Sequence, residues 1–143
     1  QMCIRDRLAK VPEAIANLGE VDRYGVDYAN AEIIRARGEA EWRRFLGDPI
    51  GYFGIDPKRF RSETLDAYAD LLARRHLETV AIFTHGFPIN ILLGQALGLD
   101  GMGHFLPDYG SITRLAGSSL DRLAVVSVNE TAHLSGRFSG ASA

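Results

Sequence analysis

The residues best suited to chemistry gather in one stretch, Val80-Ala-Ile-Phe-Thr-His-Gly-Phe-Pro-Ile-Asn90. The apolar run from Val80 to Phe83 suits a strand buried on both faces. Pro88 suits the first turn of a helix, where its missing N–H costs no hydrogen bond. His85 then falls at the carboxyl end of a strand and immediately before a helix N-terminus, where open α/β sheets bind their ligands. Unpaired N–H groups and the positive end of the helix dipole favour an anion there, such as phosphate. Gly86 has no Cβ, so a ligand can approach its backbone closely. A histidine at that point can donate a hydrogen bond to a phosphoryl oxygen or carry positive charge beside it. Two further stretches accompany this one: Leu18-Gly-Glu20-Val-Asp-Arg-Tyr-Gly25 near the start and Val128-Asn-Glu-Thr-Ala-His133-Leu134 near the end.

The elements that must hold these residues can be outlined. Pro12 to Gly25 reads as an irregular segment ending in a turn at Tyr24-Gly25. Asn30 is placed to cap a helix over about 31–37. Gly38 interrupts it, and a second helix over about 39–46 carries Trp42, Phe45 and Leu46 on one apolar stripe. Gly47 to Pro57, with three glycines and two prolines, is a loop. Ser62 is expected to cap a helix reaching about Arg75, with Leu65, Tyr68, Ala69 and Leu72 on one face. A strand within 78–84 leads into a helix that runs to Leu97 and stops at Gly98. Strands over 111–115 and 123–128 follow, joined by a turn around 117–121. Helix, strand, helix, strand, strand predicts an α/β sandwich and not a bundle.

Composition narrows the partners. The 143 residues fit one compact domain, and their 46% hydrophobic and 24% charged content is ordinary for a globular chain. Basic residues number 16 and acidic residues 18, so the net charge of -2 gives no electrostatic reason to expect nucleic acid or an anionic membrane. Val80 to Leu99 holds no Asp, Glu, Lys or Arg, but Gly86 to Pro88 breaks it, and His85, Asn90 and Gln95 are polar. It is therefore not expected to span a membrane. The single cysteine, Cys3, permits no internal disulfide, and the four histidines have no zinc-ligand spacing. Arg5, Asp6 and Arg7 stand where a secretion signal would need an apolar core, so a cytoplasmic location is expected. Neither a Gly-x-Ser-x-Gly elbow nor a Walker-type Gly-x-x-x-x-Gly-Lys occurs, and Gly98-x-x-Gly-x-Gly103 follows a helix instead of a strand.

Taken together, the three stretches resemble the histidine phosphatase superfamily, with its phosphoglycerate-mutase-like fold. The family's strand–His-Gly–helix element matches Thr84-His85-Gly86. Its Leu-x-Glu-x-x-x-x-Gly-like segment matches Leu18 to Gly25, and its closing Asn-x-Thr-x-His-Leu matches Asn129 to Leu134. The order is the family's, and Ser111-Ile112-Thr113 lies on an intervening strand. The resemblance implies a three-layer α/β/α sandwich and a covalent mechanism. A histidine nucleophile takes the phosphoryl group in line. Two arginines and a second histidine surround its equatorial oxygens. A carboxylic acid protonates the departing oxygen and later activates water. On this basis His85 is the second histidine, Gly86 adds a backbone N–H, and Glu20 is the acid, kept protonated by the dianionic ester it faces. Asp22 is the alternative acid. No metal and no organic cofactor is expected. His133 is expected to bond neighbouring backbone, and His76 and His104 to lie at the surface.

The chain departs from the family in one important respect. The nucleophile belongs to an Arg-His-Gly motif after a first strand, with a second arginine on the next helix. No Arg-His-Gly occurs in these 143 residues, and Arg75-His76 is followed by Leu77. Met2 to Arg7 also resembles a string that recurs at the ends of translated environmental assemblies, where adapter sequence is read as protein. Residues 1–7 are therefore expected to be a non-native leader, and 8–143 a truncated histidine phosphatase domain with 26–61 as the cap over the pocket. The sandwich is expected to be incomplete because the first strand is missing. Arg23, Tyr24, Arg35 and Arg59 are candidate substrate contacts. The expected activity is phosphomonoester hydrolysis through phosphohistidine in an intact parent, this chain being an inactive C-terminal fragment. A mutase-type phosphotransferase and a non-catalytic phospho-ligand-binding or interaction module are the alternatives. A small phosphorylated substrate is the expected partner, and an exposed sheet edge is expected to drive self-association.

Overall fold

The computed structural model describes residues 13–76 and 78–135; the leader expected at 1–7 lies outside them. Two short 3-10 turns, Ala16–Leu18 and Val21–Tyr24, carry the chain past Glu20. The second is closed by Gly25 at φ 72°, a left-handed conformation that a glycine adopts without strain. Helix α1 (Ala31–Ala36) starts as expected, with Asn30 Oδ1 accepting from the Ile33 N–H at 2.9 Å. Helix α2 (Glu39–Gly47) follows Gly38. Its apolar stripe is not buried: Leu46 is exposed, and Trp42 stacks on Phe45 at 5.6 Å. Phe45 in turn meets the rings of Tyr52, Phe53 and Phe87.

Helix α3 (Pro57–Arg74) begins five residues before the expected cap at Ser62. Asp56 is the actual cap, its Oδ1 accepting from the Lys58 N–H at 3.0 Å, and Pro57 opens the helix. The buried face is accordingly Phe60, Thr64, Tyr68 and Leu71, while Ala69 is exposed. Helix α4 (Gly86–Leu97) agrees with the sequence reading, ending at Gly98 with φ 66°.

Strands β1 (Ile112–Gly117) and β2 (Leu123–Glu130) pair antiparallel, from Ile112 opposite Glu130 to Gly117 opposite Leu123. The register shifts between Ile112 and Leu115, an irregularity of the kind that bends a strand. The described residues thus combine helices with a two-stranded sheet, in keeping with an α/β class.

The strand expected within 78–84 does not form. Val80 is 41%, Ile82 39% and Phe83 94% exposed, instead of buried on two faces. A strand exists only within a ladder of inter-strand hydrogen bonds. Among the described residues, no segment pairs its backbone with 79–84.

The core is built from Val21, Ile50, Ile55, Phe60 and Ile91, with Tyr24, Phe53, Leu65 and Phe87 among the side chains packed on it. One cluster therefore joins the Glu20 segment, the 26–61 region, α3 and α4, which fixes these parts relative to one another. No helix among the described residues is long and apolar enough to cross a membrane.

Candidate active site

Glu20 lies between two pinned neighbours, since Leu18 is 5% and Val21 0% exposed. Facing it is the turn that leads into α4. Thr84 Oγ1 donates to the Leu18 carbonyl oxygen at 2.6 Å, and the Phe87 N–H donates to Glu20 Oε1 at 3.0 Å. Phe87 is in the first turn of α4, so its N–H has no partner within the helix. The carboxyl group thus sits at the positive end of a helix, immediately beside His85-Gly86. Two of the three stretches singled out in the sequence meet at this point.

Glu20 is 8% exposed. Burial pushes its carboxyl up to about 7, opposed by the Phe87 N–H, reinforced by the charge of Asp22 and opposed again by Arg23. Near neutrality the group can both give and take a proton, as general acid–base catalysis requires. Asp22, the alternative acid, is exposed. His85 occupies the N-cap position of α4 in extended backbone, and its side chain does not cap the helix. It is exposed and open to a ligand. A Cβ on Gly86 would meet nothing within 4 Å, so the space beside this backbone is not taken by the chain's own packing.

The other candidates lie elsewhere. Arg23 Nη1 donates to the Asn17 carbonyl and, at 3.1 Å, to that of Gly19. Its Nη2 is 3.2 Å from both Tyr24 Oη and Thr64 Oγ1, and its Cζ lies 4.2 Å from the Phe60 ring centroid. Arg23 therefore ties the Glu20 segment to α3. Tyr24 donates its hydroxyl hydrogen to Glu63, which also accepts from Arg59 Nε at 2.8 Å. These side chains, with Ala16 and Asn17, line a cavity of about 280 Å³ to which neither Glu20 nor His85 contributes. Arg35 lies over the Trp42 ring at 5.6 Å.

Sequence reasoning missed Asn90, although a polar residue inside a charge-free helix was the available signal. Its side chain is buried, with Nδ2 donating to the Gly86 carbonyl at 2.9 Å and to that of Phe105 at 2.8 Å. Its Oδ1 accepts from the Phe105 N–H at 2.8 Å. His133 does what was expected of it, with Nε2 2.8 Å from the Gly110 carbonyl oxygen. His76 and His104 are exposed, the latter with Nε2 2.6 Å from the Asp100 carbonyl oxygen. Among the described residues, no three His, Cys, Asp or Glu side chains gather as a metal site requires.

A family model of the histidine phosphatase superfamily (branch 1) matches residues 3–131. No curated protein and no solved structure matches the chain significantly. The matched span includes Leu18 to Gly25 and Thr84 to Gly86, the two stretches that the fold brings into contact through Glu20 and Phe87. The chain belongs to the histidine phosphatase superfamily.

Proposed function

We propose that this chain supplies the acid side of a phosphomonoester hydrolase that works through a phosphohistidine intermediate. Superfamily membership carries the coarser statement, phosphatase or mutase-type chemistry on small phosphorylated substrates. The observation that favours the finer reading is the hydrogen bond from the Phe87 N–H to Glu20, which holds a proton-bearing carboxyl beside His85 and Gly86. In the first step a histidine nitrogen bonds to phosphorus, the ester P–O bond breaks, and Glu20 gives its proton to the departing oxygen. In the second, water attacks phosphorus, Glu20 takes a proton from it, and the P–N bond breaks to release phosphate. His85 and the Gly86 N–H stabilise the charge on the equatorial oxygens. On this reading these 143 residues, which contain no Arg-His-Gly, do not supply the nucleophile. Hydrolysis is preferred to mutase-type transfer because no extended segment resembling mutases occurs in the sequence. The cytoplasm is the proposed location.

That missing motif also favours a second reading, a non-catalytic module that binds a phosphorylated ligand or a partner. Sequencing the native locus upstream of the Leu8 codon separates the two. An open frame encoding a strand, Arg-His-Gly and a helix with a further arginine supports the enzyme. Its product should hydrolyse phosphomonoesters, and Glu20→Gln or His85→Ala should each lower kcat by roughly 10²-fold or more. A start codon at that point leaves no nucleophile and supports the binding module.

A further inference from the structure

Asn90 is 3% exposed and lies one turn into α4, whose other buried residues are apolar or glycine. Burying an amide costs free energy unless its groups are paired. Here one Nδ2 hydrogen goes to the Gly86 carbonyl at 2.9 Å and the other to that of Phe105 at 2.8 Å. Oδ1 accepts from the Phe105 N–H at 2.8 Å. The orientation of the amide is thereby dictated, since the reverse would turn its oxygen toward two carbonyl oxygens. The loop that begins at Phe105 is held further along as well. The Asp108 N–H donates to Asn129 Oδ1 at 2.8 Å, and Asn129 Nδ2 donates to Asp108 Oδ2 at 2.9 Å. His133 Nε2 lies 2.8 Å from the Gly110 carbonyl oxygen. Asn90 is thus braced on a loop that has anchors of its own.

The bond to Gly86 asks for an explanation. Within a helix that carbonyl already has a partner, the N–H four residues on, so pairing alone does not call for a second donor. The Gly86 carbonyl and the Phe87 N–H belong to one planar peptide unit. Asn90 therefore holds the oxygen end of the peptide whose hydrogen end is bonded to Glu20 Oε1 at 3.0 Å. A donor on the carbonyl fixes the tilt of that plane and draws charge through it, which strengthens the opposite N–H as a donor. The charged and titratable groups near Glu20 are Asp22, which raises its pKa, Arg23, which lowers it, Tyr28, and His85 at the start of α4. Among the described residues, none of these four side chains bonds to Asn90, so its line to Glu20 is the peptide.

We propose that Asn90 is a positioning residue for the acid: braced on Phe105, it aims and polarises the Gly86–Phe87 peptide so that its N–H grips the Glu20 carboxyl. This inference rests on the acid role proposed above for Glu20, and the experiment separates the two. NMR follows the Glu20 carboxyl carbon and the Asn90 side-chain amide of the same chain through a pH titration. In the unaltered chain the Asn90 proton directed at Gly86 should shift with the midpoint of Glu20, and the proton directed at Phe105 should shift less. Asn90→Leu keeps the approximate shape and removes the donor. It should raise the proton affinity of Glu20 by roughly twofold to fivefold, because the N–H that favours the carboxylate is weakened. Asn90→Ser can still donate to the carbonyl four residues back and should restore most of the original midpoint. A merely structural clamp would lower the urea midpoint in both variants and leave the titration of Glu20 where it was. That result, or an Asn90 amide that does not respond when Glu20 ionises, overturns the positioning role. The amide readout needs no variant, so it decides the matter even if Asn90→Leu fails to fold. If Glu20 titrates near 4.5 but its midpoint still rises in Asn90→Leu, the positioning stands and the acid role falls. A midpoint of about 7 that the substitution does not move gives the reverse.

Discussion

At the scale of single residues, Glu20 links the chemistry to stability. Its folded-state pKa of about 7 lies above the ordinary value of 4.5, so the native state holds the proton more tightly than the unfolded chain. This favours folding below about pH 4.5 relative to higher pH, and the advantage is lost as pH rises through 7. A shift of this size corresponds to about 3 kcal/mol. Glu20→Gln keeps an oxygen for the Phe87 N–H and carries no charge. It should therefore stabilise the chain by about 2–3 kcal/mol at pH 8 and by well under 1 kcal/mol at pH 4.5. Urea denaturation at the two pH values checks this. The position of His85 and Gly86 at the start of α4 was legible from the apolar run before them and Pro88 after them, whereas Glu20 entered only through the resemblance of Leu18 to Gly25 to the family's segment. Arg23 was not: what holds it, Phe60 and Thr64, lies on α3, and no local pattern announces that contact. Asn129 was legible as part of a motif, but its grip on Asp108 depends on a left-handed backbone that its neighbours do not dictate.

At the scale of elements, α1, α2 and α4 follow from caps and glycines, and the β1–β2 hairpin from two apolar runs around a turn. The start of α3 differs from the expected cap at Ser62 because Pro57, which suits a loop beside glycines, equally opens a helix. The segment 78–84 shows a different limit. Its apolar run specifies a preference for burial, but strand formation needs a second chain segment that no local pattern can supply. Within the hairpin, Gly117 is required sterically. A Cβ there would lie 2.1 Å from the Arg122 carbonyl oxygen, which is backbone and cannot swing aside. Gly117→Ala should therefore destabilise the fold by about 1–3 kcal/mol, as overpacking does, read from the shift in the urea midpoint.

At the scale of the whole molecule, one core unites the Glu20 segment, the 26–61 region, α3 and α4, while Val80, Ile82 and Phe83 remain outside it. An extended apolar run with unpaired backbone is a template for another strand. Sedimentation velocity of the chain should show concentration-dependent association, and Ile82→Lys with Phe83→Lys should shift it toward monomer. A compact monomer at all concentrations would contradict the proposed association. The α/β class was legible in the order of elements, but among the described residues 79–84 has no backbone partner that would make it a strand.

The central claim is that Glu20 carries a proton near neutrality beside a phosphoryl site formed with His85. A carbon-13 NMR titration of the Glu20 carboxyl, with and without inorganic phosphate, tests it most directly. The expected midpoint is about 7, raised further by phosphate because the anion opposes ionisation, with the phosphate effect lost in His85→Ala. A midpoint near the ordinary 4.5, unmoved by phosphate, would contradict it.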